Sequence, residues 1–177
     1  KNLRGVEVDE EICAAANSTL TARLGTQAKP IVGRGDSLRL FAAGNELSVG
    51  FQRDSHLCVA TNPPFGTKIT VKDPQVLSSF ELALTGPRST QLDLGFGRVS
   101  PRAPDILFLE LCVKLLQPGR GRLAIVLPYQ LLSGPQTRYI REWLLRETQV
   151  VAIIDLPPET FQPHTGTKTA LVIVRRR

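Results

Sequence analysis

The chain has 177 residues, 42% of them hydrophobic, which suits one domain with a sizeable core and argues against a disordered polypeptide. Lysine and arginine number 22 against 16 aspartate and glutamate, a net +6 that favours an anionic partner such as nucleic acid without demanding one. No apolar run approaches the ~18 residues of a membrane span. Cys13, Cys58 and Cys112 lack the spacing of a disulfide framework or a zinc site, so no metal and a reducing, cytoplasmic setting are expected.

Strand and helix signals alternate along the chain. Gly5 to Val8 reads as a short buried strand, followed by a helix from Asp9 to Leu24 with Ile12, Ala15, Ala16, Leu20 and Leu24 at helical spacing. Lys29 to Gly33 gives a second strand and Leu57 to Ala60 a third. From 67 to 101 no periodicity is sustained and prolines recur, so this stretch is expected to be a long functional or mobile loop. Pro104 to Leu116 is a strong helix stopped by Pro118-Gly119. Leu123 to Leu127 is a strand, Thr137 to Glu147 an amphipathic helix, and Val150 to Leu156 and Ala170 to Val174 are further strands. Apolar strands separated by helices imply an α/β fold with a largely parallel sheet, and the last two strands, with no helix between them, should pair antiparallel. In such sheets ligands bind beyond the carboxyl ends of the strands.

One of those ends carries Asn62-Pro63-Pro64-Phe65. This turn has the composition of a device for activating a planar amine. The lone pair of an exocyclic ring amine, such as N6 of adenine, is delocalised into the ring. Two acceptors that each take one N–H favour a pyramidal, nucleophilic nitrogen, and the Asn62 side-chain oxygen and the Pro63 carbonyl are placed for this. Pro63 and Pro64 fix φ and remove two competing donors, while Phe65 offers a face on which a flat base can rest. The same tetrapeptide also reads as an ordinary turn after a strand.

Four segments, Gly5-Val6-Glu7-Val8-Asp9, Gly33-Arg34-Gly35-Asp36-Ser37-Leu38, Asn62-Pro63-Pro64-Phe65-Gly66 and Leu115-Leu116-Gln117-Pro118-Gly119, occur in the order seen in class I S-adenosylmethionine-dependent N6-adenine DNA methyltransferases. The stretch Pro158 to Thr169 resembles the modification subunits of type I restriction-modification systems. That resemblance implies a Rossmann-like methyltransferase sheet over 1–177, mostly parallel with an antiparallel C-terminal strand. It implies that Glu7 accepts hydrogen bonds from the cofactor's ribose hydroxyls and that Asp36 receives its adenine amine. Asn62 then belongs both to the cofactor pocket and, with Pro63, Pro64 and Phe65, to the catalytic turn. Phe161 is implied to stack on the flipped base from the side opposite Phe65, and Lys168 and His164 to lie near the path of the DNA backbone. Each role has a plainer counterpart: a helix-capping or solvated carboxylate for Glu7, a helix N-cap for Asp36, a core aromatic anchoring its loop for Phe161. The implied partners are double-stranded DNA, a DNA-specificity subunit or domain and a restriction subunit, with no membrane.

The sequence departs from that family in one large respect. The glycine-rich cofactor loop, which follows the family's first strand, is not present, and the chain begins where the second strand would. The first strand lies centrally, so its absence should leave unpaired backbone on both sides of a gap of about 9.5 Å, two strand spacings. With no Met in the chain, it is expected to be part of a larger protein and to be inactive alone. Two other readings stay open: a methyltransferase acting on protein glutamine or a guanine of ribosomal RNA, and a non-catalytic methyltransferase-like scaffold.

Overall fold

The structure, a computed structural model, describes residues 3–25, 30–41, 51–65, 69–84 and 101–177. The chain divides into two compact units, Lys1–Phe51 and Gln52–Arg177.

The first unit is a βαβ arrangement. Strand β1 (Gly5–Glu7) leads into helix α1 (Glu10–Leu24), and β2 (Val32–Arg34) lies parallel to β1, with Glu7 opposite Arg34. Asp9 starts the helix, its carboxylate accepting from the Ile12 N–H at 3.0 Å. Gly25 ends it at φ +64°, a backbone that only glycine adopts without strain. The Asn17 carboxamide reaches the outer edge of β2. Its Oδ1 accepts from the N–H groups of Ile31 and Val32 at 2.8 and 2.9 Å, and its Nδ2 donates to the Val32 carbonyl at 2.8 Å. Among the described residues the edge of β2 is thus satisfied by a side chain and not by another strand. Ile12 and Leu24, read as part of an apolar helix face, are 58% and 52% exposed, and Cys13 is the buried residue of α1. Two strands of three residues offer little surface for a longer stripe to cover.

The second unit holds a four-stranded sheet in the order β3-β4-β6-β5. Strand β3 (Cys58–Thr61) runs parallel to β4 (Arg122–Pro128), while β6 (Thr169–Arg176) is antiparallel both to β4 and to β5 (Thr148–Asp155). The antiparallel pairing expected of the last two strands is present, with a bulge between Val150 and Ala152. Leu123, Ile125, Leu127, Val172 and Val174 point to one face, where they pack on helices α4 (Pro104–Leu115) and α6 (Arg138–Glu147). Nearly every side chain of α4 is buried, Asp105 and Glu110 among them. The turn into β4 depends on two glycines. Gly119 has φ +73°, and a Cβ on Gly121 would lie 2.7 Å from the Leu116 Cβ.

The stretch expected to be one long loop is partly regular. Helices α2 (Pro74–Leu77) and α3 (Glu81–Leu84) fall within it, and Val76, Leu77, Phe80, Leu82 and Ala83 are buried. Residues 66–68 and 85–100 lie outside the described residues. The stretch is held by polar contacts made at a distance in sequence. The wholly buried Glu110 carboxylate accepts from the N–H groups of Glu81 and Leu82, both at 2.7 Å, and pairs with Lys114. Glu81 in turn accepts from Trp143 Nε1 at 3.1 Å and Arg146 at 2.6 Å. Val71 and Arg102 exchange both backbone hydrogen bonds, at 2.8 and 3.2 Å, closing the base of the excursion. A short helix α5 (Tyr129–Ser133), absent from the sequence reading, follows β4 directly.

Candidate active site

In the first unit the two acids stand at the carboxyl ends of neighbouring strands. Glu7 is the last residue of β1, and its backbone carbonyl accepts from the Gly35 N–H at 2.9 Å, beside Asp36. The Glu7 Oε1 accepts from the Asp9 N–H at 2.9 Å, which stiffens the entry to α1. Its Oε2 has no partner among the described residues. Asp36 is the N-cap of the 3-10 turn Ser37–Arg39, accepting from the Leu38 N–H at 2.9 Å, and its other oxygen lies 3.6 Å from Arg39. Both carboxylates therefore have a capping role.

In the second unit the strand directions gather several segments at one edge. The strands β3, β4 and β5 end there and β6 begins there. Asn62 follows Thr61, the last residue of β3. Asn62 and Pro64 are exposed, Pro63 is buried and Phe65 is half-buried. Among the described residues, no group donates to the Asn62 side chain or to the Pro63 carbonyl. Phe161, also half-buried, lies in the turn Pro158–Phe161 between β5 and β6. Its ring meets that of Phe65 edge to face, with centroids 5.5 Å apart and planes inclined by 78°. The residues singled out at 62–65 and at 161 are therefore neighbours, across almost one hundred positions of chain.

His164 is exposed. Lys168 sits on the same edge with its ammonium 4.1 Å from the centroid of the Tyr129 ring and 3.4 Å from the Asp155 carboxylate. Sequence reading passed over Tyr129 and Asp155. The rule that ligands gather beyond strand ends would have marked both, since each closes an apolar strand. Among the described residues no cluster of three metal-binding side chains occurs, and no helix is long and apolar enough to cross a membrane.

The N-6 DNA methylase family matches residues 35–177. The chain belongs to that family. Over 116 residues it is 29% identical to the methylase subunit of the type I restriction enzyme EcoEI from Escherichia coli, which covers 64% of this chain and 20% of the relative. A chain from a structural study of complex assembly and conformational transition in the type I R-M system superposes with a TM-score of 0.67 at 26% identity, over 97% of this chain and 30% of that one. The methyltransferase subunit of a type I restriction-modification system from Streptococcus thermophilus gives 0.69 at 21% identity, over 98% and 33%. The chain thus spans a fifth to a third of the length of these relatives.

The fold is the Rossmann-like methyltransferase sheet of the N-6 DNA methylases without its first strand. Its strands fall into a pair, β1-β2, and a set of four, β3-β4-β6-β5. Among the described residues β1 pairs only with β2, and β3 pairs only with β4.

Proposed function

We propose that this chain forms part of the catalytic domain of an adenine-N6 DNA methyltransferase that works in the cytoplasm within a type I restriction-modification system, beside a DNA-specificity subunit or domain and a restriction subunit. One observation carries the reading. Two acceptors with no partner among the described residues, Asn62 Oδ1 and the Pro63 carbonyl, shortly precede Phe65, whose ring meets that of Phe161 at the carboxyl edge of a methyltransferase sheet.

The Asn62 oxygen and the Pro63 carbonyl each take one N–H of the target amine, holding its lone pair out of the ring as the nitrogen becomes positive. No side-chain base is needed in that step, because the amine loses its proton after charge has developed on it. The aromatic pair receives the base, which must leave the duplex at a cost of a few kcal/mol that stacking offsets. S-adenosylmethionine supplies the methyl group when bound. The residues here fit part of it: Glu7 offers a free carboxylate oxygen to ribose hydroxyls and Asp36 an acceptor to the adenine amine. The glycine loop's share of the pocket is not in this sequence.

The test is methyl transfer from radiolabelled cofactor to unmethylated plasmid DNA by the full-length polypeptide, with the product nucleosides separated. We expect N6-methyladenine, and a kcat lower by roughly 10²–10³-fold in Asn62→Ala with DNA affinity little changed. Turnover near wild type in that variant, or label recovered in protein or RNA instead of DNA adenine, overturns the proposal.

A further inference from the structure

Lys168 immediately precedes β6 and faces residues from both neighbouring strands, Tyr129 just beyond β4 and Asp155 at the end of β5. Its backbone is fixed as well, because its carbonyl accepts from the Tyr129 N–H at 2.9 Å, one step beyond the β4–β6 ladder. The ammonium lies over the Tyr129 ring at 4.1 Å and against the Asp155 carboxylate at 3.4 Å. Asp155 and Lys168 flank the segment 156–167, which carries Phe161. The hydrogen bonds among its inner residues are local: Thr160 to Pro157 at 3.0 Å, Gln162 to Glu159 at 3.1 Å and Thr165 to Phe161 at 3.0 Å. The outward backbone bond at its start, from the Leu156 N–H to the Thr169 carbonyl at 3.1 Å, again joins the feet. The attitude of the segment is therefore set at its feet and by the contact of Phe161 with Phe65.

We propose that Lys168 is a positioning residue, which fixes the two feet of this segment by bridging Tyr129 and Asp155 and so places Phe161 against Phe65, and that it is not a phosphate contact. The inference deepens the reading of Phe161 as part of the base pocket and rests on it. The Lys168 side chain is 54% exposed, but its ammonium already has a π-face and a carboxylate on it, and a phosphate would have to compete with both. The two roles predict opposite behaviour at Asp155. If Lys168 met phosphate, removing the neighbouring negative charge would free it and strengthen DNA binding. If Lys168 positions the segment, the same change loosens Phe161.

The experiment uses the full-length polypeptide with S-adenosylmethionine and unmethylated plasmid DNA, comparing Lys168→Ala, Lys168→Arg and Asp155→Asn with wild type. Three readouts are taken: methyl transfer, the salt dependence of DNA binding, and the fluorine spectrum of protein labelled with fluorophenylalanine, in which Phe65 and Phe161 are assigned by substitution. We expect Lys168→Ala and Asp155→Asn each to lower kcat by about ten- to a hundredfold and to shift the Phe161 resonance in the absence of DNA. The slope of log affinity against log salt should stay unchanged, and Lys168→Arg should restore rate and resonance. A slope shallower by about one in Lys168→Ala, or faster methylation by Asp155→Asn, overturns the proposal. A Phe161 resonance that ignores Lys168→Ala also overturns it. Because the fluorine readout needs no DNA, it separates failure of this inference from failure of the methyltransferase reading, which would show as absence of methyl transfer by wild type.

Discussion

The edge of one ring in the Phe65–Phe161 pair points at the face of the other, at 5.5 Å and 78°. A base held between two parallel rings needs them about 7 Å apart, twice the contact distance of stacked carbons. On the proposed reading of the pair as a base pocket, the rings touch in this structure, and one side chain would turn about its own χ angles to admit a base between them while the backbone of its segment stays in place. Replacing either ring by Ala is expected to lose about 1–3 kcal/mol of base stacking. The loss should shrink for a target base placed in a mismatch, where part of the flipping cost is already met. A fluorescent adenine analogue at the target position reports it. No change in affinity, flipping or rate for Phe161→Ala on either target would make Phe161 a packing residue of its loop.

Cofactor binding should expose the incompleteness of the pocket. With Glu7 and Asp36 present and no glycine loop in the sequence, the isolated chain is expected to bind S-adenosylmethionine with a Kd of about 1 mM or weaker, near 4 kcal/mol. Calorimetric titration measures this. Micromolar affinity would mean that the pocket lies elsewhere.

Glu110 is the residue whose loss should damage the second unit most. It is 0% exposed and satisfies two N–H groups at the start of α3 while pairing with Lys114. Glu110→Ala leaves two N–H groups without partners and strips the half-buried Lys114 ammonium of its carboxylate, with only the Ser79 carbonyl at 3.4 Å remaining to it, a change expected to cost about 3–5 kcal/mol. The midpoint of urea unfolding would fall accordingly. An unshifted midpoint would show that water replaces the carboxylate without penalty.

Glu147 makes stability depend on acid. Burial alone would raise its carboxyl, but hydrogen bonds from Arg146 and Arg176 outweigh that and hold it below its ordinary 4.5. A carboxyl depressed on folding stabilises fully above its unfolded value and loses that contribution as pH falls through the folded one. The stability gap between wild type and Glu147→Gln should therefore be present at neutral pH and shrink below about pH 4.5. Urea titrations at several pH values test the sign, and a gap that widens in acid would contradict it.

What could be read in advance followed the length and regularity of each element. Pro104 to Leu115, Arg122 to Pro128 and Arg138 to Glu147 each give a window long enough for a period to show, and each was legible. The helices Pro74–Leu77 and Glu81–Leu84 were not, because four residues make one turn and a single turn has no period. What fixes α3 in place, the Glu110 carboxylate, comes from 28 and 29 positions away. At the candidate site, Asn62 to Phe65 and Phe161 were visible as residue types beyond strand ends. The bridge from Lys168 to Tyr129 and Asp155 was not, since only the order β4-β6-β5 sets those three side by side.

The Asn17 carboxamide has a consequence for how the chain opens in solution. Two strands of three residues are too small to stay closed by their own ladder, so the amides of Ile31 and Val32 depend on one side chain for their protection. Native-state amide exchange should therefore be far faster there than at Ile125 or Val172 in the interior of the four-stranded sheet. Asn17→Ala should strip the remaining protection from Ile31 and Val32 while leaving the slow amides slow.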